Sequence, residues 1–321
     1  MPERVDLDES GLPPHVGSTV VTVGTFDGVH RGHRDVVERL VQRAKSLGVA
    51  SVLVTFEPHP LEVVNPAAAP LLLTLHDEKV EVLAETGLDY VAVLPFTPAL
   101  AAYSAEEFVE LVLRRCFRLR ELLIGYDHGF GRQRAGNVSV LQQLGERDGF
   151  KVDVVEPVST AEGLSVSSTS IRRAIAGGDL TRAAEALGRL YSVSGKVVPG
   201  AQRGRIIGFP TINLGPPRPR KLLPPEGVYA VRVQTPSGPY GGMMNLGPRP
   251  TFGDSATSLE VHLFDKTGEL YGQQVRVDFV ARLRETRKFA SAEQLTNQLV
   301  HDERDARNAL TQPVVADNVK G

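Results

Sequence analysis

Two kinds of apolar pattern alternate along the first 190 residues. Continuous apolar or β-branched runs predict buried strands, and apolar residues spaced three and four apart predict amphipathic helices. The predicted strands are Thr19–Thr25, Ala50–Phe56, Tyr90–Phe96, Glu121–Tyr126 and Val152–Pro157. The predicted helices are Gly32–Leu47, Asp77–Thr86, Phe108–Phe117 and Val138–Asp148. This alternation is typical of an α/β domain with a mostly parallel sheet that is covered on both faces and binds ligands beyond the carboxyl ends of its strands.

The pattern changes near residue 190, where glycine and proline become dense. Short runs of alternating apolar and polar residues follow, at Val228–Val233, Leu259–Leu263 and Gln274–Val280. They predict antiparallel strands joined by turns, and hence a small β-barrel or sandwich. A terminal helix is expected over Ala292–Leu310.

Two pairs of residues have the spacing of a capping box, which marks the start of a helix. Ser104 and Glu107 precede the predicted helix Phe108–Phe117, and Ser291 and Gln294 open the terminal helix. The change of pattern near residue 190 divides the chain into two parts. We expect a first domain over residues 15–186, a second over 187–311 with a linker near Leu187–Tyr191, and a flexible tail over 312–321.

Composition narrows the classes of function. The chain has 321 residues, enough for two domains, and its 36 basic and 38 acidic residues give a net charge of −2. This balance argues against a bulk basic surface for nucleic acid. Cys116 is the only cysteine, so no intrachain disulfide can form.

The location and assembly of the protein are expectations at this point. The polar N-terminal segment has no signal-peptide core, and no apolar run approaches the ~20 residues of a membrane helix. We therefore expect a cytoplasmic protein, a monomer or weak homo-oligomer, that binds neither membrane nor nucleic acid.

The first predicted strand leads into a candidate phosphate site. Its segment, GTFDGVHRGH (Gly24–His33), places two histidines around a glycine where a helix begins. The unpaired N–H groups and the dipole of a helix N-terminus attract anions, and His30 and His33 can donate hydrogen bonds to phosphate oxygens. One alternative is a turn with two exposed histidines. Another is a zinc site, although no third ligand is evident nearby.

A second segment of this domain suits an anionic leaving group. Ser167, Ser168 and Thr169 follow the last predicted strand and open another helix, and Arg172 lies one turn further on. Consecutive hydroxyls and a guanidinium can bind pyrophosphate, although the hydroxyl residues could equally be a helix N-cap.

Candidate chemistry in the second half lies on a turn and on a strand. In GFPTIN, Thr211 and Asn213 alternate along the chain and so face the same side, where their oxygens could hold Mg²⁺. A β-turn with incidental polar residues is equally compatible. In LEVHLF, Glu260 and His262 face away from Leu259, Val261 and Leu263. Solvent exposure is the simplest interpretation of such a glutamate.

The H-x-G-H motif at His30–His33 resembles that of the nucleotidyltransferase superfamily, which implies a Rossmann-like α/β fold for the first domain. The order of all these motifs resembles one enzyme family. GTFDGVHRGH, TFEPHP (Thr55–Pro60), IGYDHGFGRQRAG (Ile124–Gly136) and VSSTSIR resemble the FAD synthetase module of bacterial bifunctional riboflavin kinase/FAD synthetases. The riboflavin kinase module of the same family is matched by a second set of segments. These are GKVVPGAQRGRIIGFPTINL, PEGVYA, NLGPRPTF, LEVHLFD and LYGQQVRVDFVARLRETRKF. The resemblance runs from about residue 18 to 310.

The resemblance implies two activities, and each of them uses its own molecule of ATP. The second module would phosphorylate riboflavin to FMN, and the first would join FMN to AMP, giving FAD and pyrophosphate. For the first module it implies a phosphate site at Gly24, Phe26, Asp27, His30, His33, Ser167, Ser168, Thr169 and Arg172. It implies an FMN site at His59, Asp127, His128, Phe130 and Arg132.

For the second module the resemblance implies an ATP site at Gly195, Lys196, Gly204, Arg205, Gly208, Pro210, Thr211 and Asn213. Thr211 and Asn213 would hold Mg²⁺. Riboflavin would bind Glu260, Arg284 and Phe289, with Glu260 as the general base that takes the proton of the ribityl 5′-hydroxyl. His30 and His33 would instead stabilise charge in adenylyl transfer, because the phosphate of FMN is already ionised and needs no base.

One segment departs from the family pattern. Where the family often has an aromatic residue after Asn or Asp, this chain has His128, whose imidazole could still stack on a flavin ring. Two other features are expected to be structural: Cys116 as a small core residue, and Asp302–Asp305 as the exposed face of the terminal helix.

Three rival functions fit parts of the sequence. Another adenylyltransferase with an appended β-domain would not need the GFPTIN motif or the strand glutamate. A flavin- or nucleotide-binding regulator would not need His30, His33 and Glu260 together. An aminoacyl-tRNA synthetase would need a basic anticodon-binding module.

Overall fold

A computed structural model of the chain describes residues 3–5, 11–126, 129–131, 136–156, 166–200, 203–216, 219–248, 257–266 and 268–312. The chain divides into two compact units, Met1–Ser168 and Thr169–Gly321. Across the described ranges, no helix combines the length and the apolar character that crossing a bilayer requires.

The first unit is built on a six-stranded, wholly parallel sheet with the order β1-β4-β3-β2-β5-β8. Its strands are β1 (Glu3–Val5), β2 (Thr19–Val23), β3 (Ala50–Glu57), β4 (Tyr90–Pro95), β5 (Leu119–Gly125) and β8 (Lys151–Val155). A separate two-stranded ribbon pairs β6 (Gly129–Phe130) with β7 (Gly136–Asn137).

Helices connect these strands. They are α1 (Arg31–Leu47), α2 (Pro60–Val64), a 3₁₀ turn (Pro66–Ala68), α3 (His76–Ala84), α4 (Pro98–Ala101), α5 (Ala105–Phe108) and α6 (Val138–Asp148). Apolar side chains bury both faces of the sheet. On β2, Val21 and Val23 pack in one cluster, and Val20 packs in the other with Val37 and Leu40 of α1. The predicted parallel sheet covered on both faces is confirmed.

The predicted helix Phe108–Phe117 is wrong in its start and in its type. The capping box predicted at Ser104 and Glu107 is present, with both hydrogen bonds made, so the helix begins at Ala105. Its continuation, Val109–Arg114, is π-helical. Apolar spacing alone could not distinguish a π-helical turn from an α-helical one. Cys116 is half-buried there, and its Sγ lies 3.3 Å from the Leu111 carbonyl oxygen.

The second unit contains a closed, antiparallel six-stranded barrel with the order β10-β13-β12-β11-β14-β9. Its strands are β9 (Ser192–Val198), β10 (Ile212–Leu214), β11 (Gly227–Thr235), β12 (Gly238–Pro248), β13 (Thr257–Leu263) and β14 (Gln274–Arg284). The helices are α7 (Ser168–Ala176), α8 (Leu180–Leu187), α9 (Arg203–Ile206) and α10 (Ala292–Thr311). The predicted barrel with a terminal helix is confirmed.

The terminal helix packs on the outside of the barrel. Ala306 of α10 lies in one apolar cluster with Ala230 of β11 and Met243 of β12. The expectation that Asp302–Asp305 forms an exposed face is wrong at Asp302, which is 3% exposed and bonds to Arg284 of β14. A partner 18 residues away in sequence reversed the usual preference of an aspartate for solvent.

A second buried ion pair joins α1 to the sheet of the first unit. Arg43 donates to both carboxylate oxygens of Glu121 on β5, at 2.6 and 2.7 Å. The hydrogen bonds from Arg43 hold the pKa of Glu121 below its ordinary value. A carboxyl group whose pKa is lower in the folded state contributes stability at neutral pH that is lost as the pH falls through that lowered value.

We expect Glu121→Gln to lower the free energy of unfolding at pH 7 by about 1 kcal/mol, because solvent screens the arginine end of the pair. The difference from wild type should shrink as the pH is lowered toward 3, which urea unfolding at a series of pH values would measure. Glu38→Gln, on the exposed face of α1, is the matched control and should change little. A difference in the free energy of unfolding between wild type and Glu121→Gln that stays constant with pH would contradict the role assigned to the Arg43–Glu121 ion pair.

Candidate active sites

The loop between β2 and α1 has an unusual backbone. Phe26, Gly28 and Val29 all have positive φ, at 46°, 85° and 40°. Only glycine adopts this region readily, so the other two residues must be held there by their surroundings. Phe26 and Val29 are 4% and 0% exposed, and this burial of apolar side chains offsets the backbone strain.

The carboxylate of Asp27 ties this loop to the segment before α3. Asp27 is 2% exposed and accepts hydrogen bonds from the backbone N–H groups of Leu73 (2.9 and 3.1 Å) and Thr74 (3.0 Å). The Thr74 hydroxyl in turn accepts from the Gly28 N–H at 2.9 Å. In this arrangement the carboxylate shapes the loop, and a direct contact of Asp27 with phosphate stays a prediction.

The two histidines lie together at the N-terminus of α1. His30 is the N-cap, and its Nδ1 accepts from the His33 backbone N–H at 3.3 Å. The two rings stack with their centroids 3.6 Å apart, and the His33 ring lies 4.9 Å from that of Phe26. A Cβ at Gly32 would lie only 3.3 Å from the His30 ring. The sequence therefore builds a paired-imidazole surface at the positive end of a helix.

Lys79 on α3 is a site residue that the sequence motifs did not indicate. It is 7% exposed, and its Nζ donates to the Thr25 carbonyl (2.8 Å) and to the Thr55 hydroxyl (3.2 Å). Burial lowers the pKa of Lys79, and the nearby charges of Asp27 and Glu57 oppose that shift. The sequence did indicate that Lys79 is buried, because its position places it on the same face of α3 as the apolar residues Val82 and Leu83.

The segment that contains Ser167, Ser168 and Thr169 contacts the loop between β2 and α1 through Ser168. The Ser168 hydroxyl donates to the Asp27 carbonyl at 2.9 Å, and Ser167 is half-buried. Thr169 is exposed and Arg172 is half-buried, and both fall in the second unit. Their assignment to the phosphates stays a prediction.

Little of the predicted FMN site lies among the described residues. His59 is the N-cap of α2, and its Nδ1 accepts from the Leu61 N–H at 3.2 Å. Phe130 lies on β6, where the backbone alone is described. Asp127, His128 and Arg132 lie outside the described residues.

In the barrel, the strand register aligns residues that are far apart in sequence. Asn213 of β10 pairs with Glu260 of β13, and Glu260 pairs with Asn245 of β12. Asn245 pairs with Val228 of β11, and Val228 pairs with Arg284 of β14. Directly paired residues point to the same face, and the register of β11 against β14 shifts between Val228 and Tyr229, beside the last of these pairs. These five side chains form one row on the outside of the barrel, with the shift at its Arg284 end. We call them the outer row.

Glu260 is half-buried within the outer row. Its neighbours Leu259 and Val261 are 2% and 0% exposed and face the barrel interior, as the alternation predicts. The hydroxyl of the buried Ser258 donates to Glu260 Oε1 at 3.0 Å. One carboxylate oxygen is thus held by the protein on the face that Asn213 shares.

The turn before Thr211 is tightly packed. A Cβ at Gly204 would overlap the Phe209 carbonyl oxygen, and one at Gly200 would overlap the Asn213 carboxamide. Gly208 has a φ of 85°. Nδ1 of His262, on β13, lies 2.7 Å from the Pro210 carbonyl oxygen. His262 was expected only to share a face with Glu260, and it also anchors the GFPTIN turn.

The other predicted ATP residues of the barrel are spread along β9 and α9. Gly195 packs against Leu214, Lys196 is exposed on β9, and exposed Arg205 lies 4.0 Å from the Glu269 carboxylate. The contacts of these three residues are within the protein, and their roles toward ATP stay predictions.

Thr211 and Asn213 are chemically suited to Mg²⁺, which prefers oxygen ligands and is commonly shared with substrate phosphates. Gly200 and Gly204 leave space for backbone to approach their side chains closely. Within the described ranges, no group of three or more His, Cys, Asp or Glu residues could hold a metal.

Arg284, at the end of the outer row, is held by α10. Its Nε and Nη2 donate to the two Asp302 oxygens at 2.8 and 2.6 Å, and Gln298 donates to the same carboxylate at 2.8 Å. The guanidinium lies 5.8 Å from the centroid of the Phe289 ring. The structure brings Arg284 and Phe289, two of the three predicted riboflavin residues, together, and their contact with riboflavin stays a prediction.

Comparison with known proteins gives matches along nearly the whole chain. Residues 13–170 match the FAD synthetase family, and residues 187–310 match the riboflavin kinase family. The bifunctional riboflavin kinase/FMN adenylyltransferase of Escherichia coli K12 is 39% identical over 298 residues, which cover 92% of this chain and 94% of that protein. The protein of the same name from Pseudomonas fluorescens is 41% identical, with 94% and 95% covered.

A solved structure shares the fold. The crystal structure of a protein named as a macrolide-efflux protein, from Streptococcus pneumoniae, superposes with a TM-score of 0.83 at 30% identity. The match covers 96% of this chain and 99% of that one. This likeness supports the same arrangement of a parallel sheet and a barrel along one chain.

We expect Asp27→Asn to speed amide hydrogen exchange at Leu73 and Thr74 by ten- to a hundredfold, because hydrogen bonds to a charged group are worth about 1.5–3 kcal/mol. Exchange measured by NMR or mass spectrometry would detect the change. Asp35→Asn, on a partly exposed carboxylate of α1 that pairs with Arg39, is the matched control and should leave these amides unchanged. Equal exchange in both variants would contradict the anchoring role.

Proposed function

This chain belongs to the family of bifunctional riboflavin kinase/FMN adenylyltransferases, and from that premise we propose that it makes FAD in two ATP-dependent steps. The second unit phosphorylates riboflavin to FMN, and the site around His30 and His33 joins FMN to AMP. The observation that carries the proposal is the match to relatives named for both activities over more than nine-tenths of the chain.

In the kinase step, the ribityl 5′-oxygen forms a bond to the γ-phosphorus of ATP as the bond to the β,γ-bridging oxygen breaks. ADP leaves, and Glu260 accepts the hydroxyl proton. An alcohol is a poor nucleophile at neutral pH, so a positioned base accelerates this step. Glu260 suits the role because it lies beside Asn213 in the outer row.

Thr211 and Asn213 would hold a magnesium ion together with the ATP phosphates, where its charge would neutralise that of the transferring group. The packed glycines at 200 and 204 support this proposal, since they let the loop approach both side chains. The bond from His262 to Pro210 would keep the turn in register with Glu260.

In the adenylyl step, a phosphate oxygen of FMN attacks the α-phosphorus of the second ATP, and pyrophosphate leaves. The nucleophile is largely ionised at pH 7, since its second pKa is ~6. The site therefore has to bring two anions together and stabilise developing charge. The stacked imidazoles at the N-terminus of α1 support this role for His30 and His33.

We further propose the functional domains as residues 15–186 and 187–311, with 312–321 as a tail. The family matches at 13–170 and 187–310 support this division. A cytoplasmic location, a monomeric or weakly associated state, and the absence of nucleic-acid or membrane partners remain predictions.

The double variant His30→Ala/His33→Ala should lose FAD synthesis and keep riboflavin phosphorylation, so FMN accumulates. Removing one charge-stabilising donor typically costs about 10²–10³ in rate. Chromatographic separation of flavins after incubation with riboflavin, ATP and Mg²⁺ measures both products. His15→Ala, an exposed imidazole of the same unit, is the control. Unaltered FAD output from the double variant would refute the role of the histidines.

Glu260→Gln should reduce riboflavin phosphorylation by about 10²–10⁴, because the amide keeps the shape but cannot accept the proton. FAD synthesis from supplied FMN should persist, since its nucleophile needs no base. Glu293→Gln, at an exposed position in the first turn of α10, is the matched control. If Glu260 were merely a surface residue, the kinase rate would stay within about twofold of wild type.

A further inference from the structure

We propose that Asn245 positions the ribityl chain of riboflavin, by hydrogen bonding to a secondary hydroxyl while Glu260 engages the terminal one. The inference rests on the proposed kinase function of the outer row. It adds that this row selects a flavin whose side chain carries several hydroxyl groups. The sequence motifs alone predicted no role for Asn245.

The register places Asn245 beside the proposed base. Glu260 on β13 pairs with Asn245 on β12, and the pairing continues without a shift from Gly242↔Leu263 to Pro248↔Thr257. Side chains directly opposite on antiparallel strands have their Cβ atoms about 4.5–5.5 Å apart. A chain whose terminal hydroxyl reaches Glu260 can therefore present a neighbouring hydroxyl to Asn245.

The Asn245 side chain is accessible on the outer face. Met244 and Leu246, on either side of it, are 0% and 1% exposed and face the barrel interior, whereas Asn245 is exposed. The Asn245 Nδ2 lies 3.9 Å from the position that a Cβ at Gly247 would occupy. The same Cβ would lie 3.5 Å from the Thr286 methyl carbon and Gly247 is buried, so Asn245 is the exposed position at this point of the outer face.

The chemistry of the carboxamide matches a polyol. Asparagine carries two N–H donors and an acceptor oxygen, so it can satisfy a hydroxyl in either role and does not titrate. A carboxylate at this position would put a second negative charge directly opposite Glu260, which disfavours pairing. An amide provides hydrogen bonding there without that repulsion.

The order of residues along the outer row indicates how riboflavin would lie across the strands, from its ribityl chain to its ring. Asn213, proposed to lie at the phosphates, comes first, followed by Glu260, Asn245, Val228 and Arg284. Adjacent strands are about 4.8 Å apart, so each step from Asn213 to Val228 advances by roughly that distance, and the step to Arg284 lies beside a register shift. Arg284, next to Phe289, stands where the flavin ring would follow the chain. Asn245 lies in the interval that the ribityl group must cross.

The test compares two flavins in the kinase assay of the full-length protein. Riboflavin has three secondary hydroxyls on its side chain, whereas 10-(5-hydroxypentyl)flavin keeps the chain length and the terminal hydroxyl but lacks them. Asn245→Ala should lower kcat/KM for riboflavin about tenfold, the equivalent of one hydrogen bond. The inhibition constant of the hydroxypentyl flavin against riboflavin should stay within about twofold of wild type.

Three controls distinguish the loss of the Asn245 hydrogen bond from a general loss of folding or activity. Gln234→Ala removes an exposed amide from β11, outside the outer row, and should leave both values unchanged. Asn245→Val keeps a strand-forming residue without a hydrogen-bonding group and should reproduce the loss if the alanine variant folds poorly. FAD synthesis from supplied FMN should be normal in every variant.

The proposal for Asn245 fails if kcat/KM for riboflavin is unchanged, or if the hydroxypentyl flavin weakens by the same factor as riboflavin. The proposed function fails separately, if wild type does not phosphorylate riboflavin or if Glu260→Gln remains fully active. An active wild type, an inactive Glu260→Gln and an unaltered Asn245→Ala would overturn only the role of Asn245.

Discussion

Strand register is the constraint on which the barrel site depends. In a closed barrel each strand is paired on both sides, so no strand can slip relative to its neighbours without breaking two ladders. The pairing of Asn213 with Glu260 and of Glu260 with Asn245 is therefore set by the whole barrel. A slip of one residue would turn Glu260 toward the interior, which Leu259 and Val261 now fill. A base held close to the phosphate donor accelerates phosphorylation of an alcohol, and our proposal gives Glu260 that role in this row.

The site of the first unit is held by buried polar groups beneath a strained loop. The Asp27 carboxylate accepts from backbone N–H groups of the segment before α3, and the Lys79 ammonium donates to the Thr25 carbonyl. Each charge is costly to bury alone, and the opposite charge nearby reduces that cost. The loop then sets His30 at the start of α1. A helix N-terminus with two imidazoles attracts negative charge, which is the property that our proposal of adenylyl transfer at this site requires.

The sequence by itself determined the elements and their chemistry. Apolar periodicity predicted the parallel sheet and the barrel, and local motifs located the two histidines, the GFPTIN turn and Glu260, because periodicity and turn chemistry are local properties of a chain. Two predictions were wrong because packing decided them. The helix type over Val109–Arg114 depends on its surroundings, and Asp302 is buried only because Arg284 reaches it.

Only the tertiary structure decided which distant residues stand together. Lys79 meets Thr25 across 54 residues, and His262 meets Pro210 across 52. Asn245 stands beside Glu260 through the register of two neighbouring strands. The sequence places Lys79 on an apolar face of its helix, but the partner in each of these three contacts has no local signal, because contacts between distant residues are fixed by the free energy of the whole fold. The sequence thus indicated the candidate reacting groups, and the closed barrel and the packed sheet placed the residues beside them.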